Sequence, residues 1–138
     1  MPPSDDVQIG NATHVLRVLL PRWVVTKNGR ERPTSDSLLD SNFENSCFIA
    51  SEISLTELRA LFPDFPNAKI AQIPVQVLRD NGYAIERKPE DAPGGCMVPN
   101  SHVVVGPPTA TQRGPYEAAA RRIVKHGSIR IIQPDEIE

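Results

Sequence analysis

Proline is the residue that most constrains how this chain folds. The 138 residues include 14 prolines, and a proline disrupts a helix interior and cannot donate to a sheet ladder. Because the prolines divide the sequence into short segments, we expect many short elements rather than long helices. No period of about 20 to 50 residues repeats along the chain, so a solenoid or a propeller is not indicated.

The apolar runs between these breaks predict a set of short strands. Asn28-Gly29 is a turn signal that favours positive φ at both central positions. The two predicted strands that precede it, 14–20 and 22–27, form either a hairpin or one bent edge strand. The predicted strands are HVLRVLL (14–20), RWVVTK (22–27), CFIA (47–50), AKIAQIPV (68–75), YAIERKP (83–89), HVVV (102–105) and SIRIIQP (128–134).

Helical signals are fewer. Ser54 and Glu57 match the S-x-x-E capping box at the start of SLTELRALF, in which each side chain satisfies the other residue's backbone amide. VQVLRDNG predicts a turn or two of helix that ends at Gly82, and 34–46 predicts an ordered loop with one helical turn. GPYEAAARRIVKHG repeats apolar residues at i, i+3 and i+4, which is typical of a helix facing a core.

These elements do not alternate as βαβ units, so the predicted fold class is α+β. We expect a single domain over 13–133, with a mixed or antiparallel sheet of short strands and two to three helices. A flexible N-terminal segment, 1–12, precedes it, and an acidic tail, 134–138, follows it.

Composition excludes several classes of protein. The formal net charge of −2 gives no overall field that would attract nucleic acid or an anionic membrane. No run approaches the roughly 18 apolar residues of a membrane helix, so a membrane span is not predicted. Cys47 and Cys96 lack metal-site spacing, so no metal is predicted. One disulfide between them and two free thiols both remain open, and a reducing cytoplasm favours the thiols. Neither a Rossmann nor a P-loop glycine motif is present, and no cofactor is predicted. The acidic, polar N-terminus is unlike a signal peptide, so a cytoplasmic location is expected.

Charge is unevenly distributed along the chain. Residues 22–32 carry four basic residues and one acid, and 113–130 carry five basic residues and one acid. Residues 33–58 instead carry five acids and no base. This segregation predicts either a basic patch for phosphate or an acidic partner, or a solvated face of ion pairs. Aromatic residues make up only 5% of the chain, so few side chains are available to stack on bases. Nucleic acid is therefore not the expected ligand.

His102 is the histidine that most suggests a site. His126 is explained by its position at a helix C-terminus, and His14 has no companion in sequence. His102 lies where a polar loop enters the apolar run HVVV, which leaves two interpretations open: a hydrogen-bonded strand-end residue, or part of a site. Alternation predicts that it shares a face with Val104, opposite Val103 and Val105.

The order RWVV…NGRERPTSDSLLDS…SCFIASE…NSHVVVGPPT…AAARRI resembles a pattern in small bacterial proteins of unassigned function. In that pattern an arginine-bearing strand leads to a serine-rich segment, and later to a strand that reads histidine, three hydrophobic residues and glycine. The resemblance spans Arg22 to Ile123. It implies that Arg22, Ser35, Ser37, Ser46 and His102 converge, and it implies no particular reaction.

Two functions follow as hypotheses. The favoured one is a binding or regulatory module that presents its basic hairpin or the loop APGGCMVPNS to a partner protein or a phosphate-bearing ligand. The alternative is a small enzyme, a hydrolase or a nucleotide-group transferase, with a cleft near His102. No G-x-S-x-G elbow is present to support a hydrolase, although Asp36 and Asp40 are available to orient a base. The candidate catalytic residues are His102, Ser37 and Arg22, and the candidate ligand-binding residues are Arg30, Arg32, Ser35 and Asn100.

Overall fold

The structure, a computed structural model, describes residues 1–136. The strands are β1 (His14–Leu19), β2 (Val24–Lys27), β3 (Arg30–Pro33), β4 (Asn45–Ile49), β5 (Lys69–Pro74), β6 (Ala84–Arg87), β7 (His102–Gly106) and β8 (Arg130–Ile132). The α-helices are α1 (Leu55–Ala60), α2 (Val75–Asp80) and α3 (Arg113–Val124). Every segment predicted as a strand or a helix overlaps one of these elements.

Six strands form one sheet in the order β6-β7-β4-β1-β5-β8, and β2 and β3 form a separate two-stranded sheet. All the pairs are antiparallel. The predicted α+β class is therefore confirmed, and of the two sheet types predicted the sheet is the antiparallel one. The chain forms a single α+β domain.

The six-stranded sheet has helices on both faces. On one face, α2 and α3 contribute to the larger hydrophobic cluster, and on the other α1 contributes to a smaller cluster. Along β1, Val15 and Leu19 enter the larger cluster and Leu16 enters the smaller one, because successive side chains of a strand alternate between faces. The sheet is therefore the middle layer of the domain.

β7 follows the alternation predicted for HVVV. Val103 and Val105 belong to the larger cluster. His102 lies opposite Phe48 in the register of β4 and β7, and the two rings meet edge to face with centroids 5.2 Å apart. His102 therefore faces the smaller cluster, at the end of a strand buried along its whole length.

The local signals produce the predicted turns and caps. Asn28 and Gly29 have φ of 53° and 75°, as the turn signal predicts, and β2 and β3 form a hairpin around them. The segments 14–20 and 22–27 form neither a hairpin nor one strand, because β1 and β2 lie in different sheets. Ser54 accepts a hydrogen bond from the Glu57 amide, and Glu57 accepts one from the Ser54 amide, which confirms the capping box. Gly82 has φ of 83°, the left-handed conformation expected after α2.

Residues 1–12, predicted as a flexible segment, run beside the edge strand β6. The Asp6 amide donates to the Ile85 carbonyl at 2.8 Å, and the Asp5 carboxylate accepts from the Ile85 amide at 3.0 Å. Ile9 is buried in the larger cluster. The predicted acidic tail lies partly outside the described residues. Within residues 1–136, no helix is long and apolar enough to cross a membrane.

Candidate functional site

His102 is held by two hydrogen bonds across the sheet. Its Nε2 lies 2.7 Å from Ser46 Oγ and its Nδ1 lies 2.7 Å from the Lys88 carbonyl oxygen. A carbonyl only accepts, so Nδ1 carries the hydrogen, and in the neutral ring Nε2 then accepts from the Ser46 hydroxyl. The residue is 1% exposed. This geometry orients an imidazole as an acceptor for a serine hydroxyl.

Of the residues predicted to converge with His102, the structure brings only Ser46 into hydrogen-bond contact with it. Ser37 is buried, and its hydroxyl donates to the Thr34 carbonyl at 2.7 Å. Ser35 begins the same 3-10 turn, Ser35–Leu38. Arg22 is exposed, with its guanidinium 5.8 Å from the ring centre of Trp23.

Asn100, a predicted ligand-binding residue, is exposed in the 3-10 turn Pro99–Ser101 that precedes β7. Its carbonyl accepts a hydrogen bond from the Arg87 guanidinium, which is itself paired with Glu52. Asn100 therefore contacts a surface ion pair.

Two polar side chains that sequence reasoning did not single out support the strand that carries Ser46. Arg17 donates from Nε to the Ser37 carbonyl at 3.0 Å and from Nη1 to the Ser46 carbonyl at 2.7 Å, and burial lowers the pKa of its guanidinium. Asn45 is fully buried and donates to the Leu38 and Val105 carbonyls. Each donates to backbone carbonyls next to the strand, so we interpret their role as structural.

A second site lies between the β2–β3 hairpin and the C-terminal end of α3. It is a cavity of about 250 Å³, which we call the basic cavity. Its lining includes four residues with cationic side chains, an imidazole, an amide and two aliphatic residues. They are Lys27, Arg30, Arg32, Lys125, His126, Asn28, Val124 and Ile129.

The cations of the basic cavity differ from most others in the described chain because no carboxylate of residues 1–136 lies beside them. Among residues 1–136, seven of the fifteen lysines and arginines have a carboxylate oxygen within 4.0 Å. None of the four in the basic cavity does. Of the remaining unpaired arginines, Arg17 and Arg59 donate to backbone carbonyls, Arg122 donates to Asn81 and Arg22 lies over Trp23. Half of the eight basic residues that have no carboxylate partner within residues 1–136 therefore line this one cavity.

Arg30 joins the two walls of the basic cavity. Its Nη2 donates to the Gly127 carbonyl at 2.7 Å and to the Ile129 carbonyl at 3.1 Å. A guanidinium has five N–H donors, so those on Nε and Nη1 are left for a ligand, since they bond to no residue of 1–136. The Arg30 side chain is thus held in place, and its Nε and Nη1 donors remain available to a ligand.

His126 is oriented in a similar way. Its Nδ1 accepts from the Ser128 amide at 3.2 Å and lies 2.6 Å from the Ser128 hydroxyl. Since Nδ1 accepts, the hydrogen of the neutral ring is on Nε2. His126 therefore has one ring donor that Ser128 does not use.

The sequence identified two members of the basic cavity, Arg30 and Arg32, as ligand-binding candidates. His126 was explained by the helix C-terminus alone, and Lys125 was counted only as part of the basic segment 113–130. The signal that finds them is the charge segregation, because 22–32 and 113–130 are the two basic segments and the fold brings their ends together. Among residues 1–136, no group of three or more histidine, cysteine, aspartate or glutamate side chains is arranged to hold a metal ion.

Comparison with known proteins adds no relative from which a function could be transferred: no protein-family model, no curated protein and no solved structure matches this chain significantly.

Proposed function

We propose that this protein is a binding module for a phosphate-bearing ligand, and that the basic cavity holds the phosphate. The observation that carries the proposal is the convergence of Lys27, Arg30, Arg32 and Lys125 on one cavity with no carboxylate partner within residues 1–136. Anion recognition needs fixed donors and uncompensated positive charge, and both are present.

The arrangement on the hairpin supports a binding role because it opposes stability. Lys27 and Arg30 are directly opposite each other in the register of β2 and β3, and Arg32 follows on the same face because side chains alternate. Like charges directly opposite destabilise a sheet. A bound anion would remove that repulsion.

A simpler explanation covers only part of the cluster. Lys125 follows α3 directly, where a cation is stabilised by a helix end equivalent to about −0.5 charge. That partial charge compensates less than one of the four cations. It gives no reason for three cations on the facing hairpin, so the helix end alone does not explain the cluster.

The shape of the site favours a small ligand over a flat protein surface. A cavity of about 250 Å³ is slightly smaller than the roughly 300 to 1,000 Å³ usual for small-molecule pockets. Cys47 and Cys96 are not bonded to each other, which is consistent with the cytoplasmic setting expected from the sequence.

The test is calorimetric titration of the protein with inorganic pyrophosphate at low ionic strength. Two or three charge-assisted contacts predict a dissociation constant of roughly 0.01 to 1 mM. Lys27→Ala and Arg32→Ala should each weaken binding roughly three- to ten-fold.

Arg22→Gln is the matched control, because Arg22 is an exposed, unpaired cation outside the basic cavity. Its affinity for pyrophosphate should equal that of the unmodified protein. Absence of binding, or equal weakening by all three variants, would refute the proposal.

A second candidate function is favoured by the hydrogen bond between Ser46 and His102. We propose it as the alternative: a small hydrolase in which Ser46 Oγ is the nucleophile. His102 Nε2 accepts the hydroxyl proton, and the Lys88 carbonyl fixes the tautomer, the role that a third group plays in a serine triad. Ser46 is partly exposed, which gives a reagent access.

A fluorophosphonate probe tests this alternative. Ser46 Oγ would bond to phosphorus, the proton would pass to His102 Nε2, and fluoride would leave with the electrons of the P–F bond. Intact-protein mass spectrometry should show one adduct that Ser46→Ala and His102→Gln both abolish. Ser41→Ala is the control, since Ser41 is exposed in the loop before β4. If no adduct forms on the unmodified protein, or if Ser46→Ala still forms one, Ser46 is not the nucleophile.

A further inference from the structure

We infer that the group recognised by the basic cavity is a diphosphate, or two phosphates held close together, and not the organic part of the ligand. This inference rests on the proposed function and names the ligand class for that same site. It comes from the charge, the volume and the lining of the cavity.

Charge is the first argument. Lys27, Arg30, Arg32 and Lys125 bring four formal positive charges to the lining. One phosphate monoester carries about −1.5 to −2 at pH 7, which leaves at least half of that charge uncompensated. Two phosphate groups carry about −3 to −4 and match it.

Volume is the second argument. The cavity of about 250 Å³ is smaller than the roughly 300 to 1,000 Å³ usual for pockets that enclose a whole small-molecule ligand. Inorganic pyrophosphate has nine non-hydrogen atoms, whereas a nucleoside diphosphate has about three times as many. The size of the cavity therefore suits a diphosphate better than a whole nucleoside diphosphate.

The lining is the third argument. The imidazole of His126 is its only ring, so no indole, phenyl or phenol face lines the cavity within residues 1–136 to stack on a base. Val124 and Ile129 are each only 4% exposed, so they offer little apolar surface to an organic group. The cavity therefore has few groups that could recognise the part of the ligand beyond the phosphates.

The two walls predict how a diphosphate is shared. Lys27 belongs to the hairpin wall, and Lys125 belongs to the helix wall. We expect a diphosphate to reach both walls at once, with one phosphate toward each, and a single phosphate to reach only one of the two lysines. Lys27 and Lys125 should therefore both matter for pyrophosphate, but only one of them should matter for inorganic phosphate.

The experiment is titration of the full chain, in metal-free buffer of constant ionic strength, with inorganic phosphate, pyrophosphate, AMP, ADP and adenosine. We expect pyrophosphate and ADP to bind within about three-fold of each other, and both at least about ten-fold more tightly than phosphate and AMP. Adenosine should not bind. The same series with Lys27→Ala and Lys125→Ala tests the sharing between walls, with Arg22→Gln as the control.

The results that contradict these expectations distinguish a wrong diphosphate inference from a wrong proposed function. If phosphate binds as tightly as pyrophosphate, or both lysine variants weaken inorganic phosphate equally, the diphosphate inference is wrong and the phosphate site stands. If AMP or adenosine binds as tightly as ADP, the organic group is recognised and the inference is again wrong. If neither phosphate nor pyrophosphate binds, the proposed function fails together with the inference.

Discussion

Gly106 ends β7 at a position where any side chain would meet another part of the backbone. A Cβ atom built on Gly106 lies 2.0 Å from the Phe43 carbonyl oxygen and 2.9 Å from its carbonyl carbon. Ordinary contact of a Cβ atom begins at 3.4 Å. Gly106→Ala therefore forces one of the two backbone segments to move by more than about 1 Å.

The surrounding structure resists that movement. Phe43 has φ of 63° in a turn closed by its amide and the Asp40 carbonyl at 3.0 Å, and its ring lies 5.1 Å from that of Tyr116. Two residues later, Asn45 is fully buried and bonded to the Val105 carbonyl at 2.9 Å. Overpacking costs typically about 1 to 3 kcal/mol, and occasionally more. Because the added Cβ atom meets backbone and not a flexible side chain, we expect Gly106→Ala to lower the free energy of unfolding by about 3 kcal/mol or more.

Thermal unfolding followed by circular dichroism measures the effect. At about 2.1 cal/mol/K of unfolding entropy per residue, 1 kcal/mol corresponds to about 3 to 4 °C in a chain of 138 residues. Gly106→Ala should therefore lower the Tm by about 10 °C or more. Urea unfolding should give the same free-energy difference from its midpoint.

Gly114→Ala is the matched control, since it adds the same methyl group. Gly114 lies in α3, and no atom lies within 4 Å of its added Cβ. Alanine is the better helix former, by up to about 1 kcal/mol, so this variant should keep or raise the Tm. If the two alanine variants unfold at the same temperature, the close approach of Gly106 and Phe43 is not the constraint that we describe.

Three further predictions concern other parts of the protein. Ser54→Ala removes the N-cap of α1 and should lower the free energy of unfolding by about 1 kcal/mol in a urea titration; an unchanged midpoint would show that the cap contributes nothing. Burial raises the pKa of the Cys47 thiol to about 11, so iodoacetamide at mildly alkaline pH should alkylate the half-buried Cys96 first by mass spectrometry; equal labelling of both thiols in the native protein would contradict this. The hydrogen bond from Lys88 lowers the pKa of the Glu44 carboxyl below its ordinary 4.5. The stabilisation by this pair is therefore present above about pH 4.5 and is lost as the pH falls through the lowered pKa of the folded state. Glu44→Gln and Lys88→Met should accordingly be less stable than the unmodified protein near neutral pH, and the gap should close in acid; a gap independent of pH would refute the pairing.

The sequence determined the features that depend only on neighbours along the chain. The hairpin turn follows from Asn28-Gly29, because those two residues tolerate the positive φ that a two-residue turn requires. The start of α1 follows from Ser54 and Glu57, which bond within one turn. The burial of one face of α3 follows from the spacing of its apolar residues. In each case the deciding interaction spans four residues or fewer.

Only the tertiary structure decided which segments meet. Periodicity assigns a face to a strand but does not identify the strand beside it. It could not predict the order β6-β7-β4-β1-β5-β8. Nor could it predict the hydrogen bond between Ser46 and His102, which are 56 residues apart. The same limit applies to the basic cavity. Lys27 and Lys125 are far apart in sequence and line one cavity because the hairpin packs beside the end of α3. The two basic segments were visible in the sequence, but a site depends on the distance between charges, and that distance is set by the packing of the whole domain.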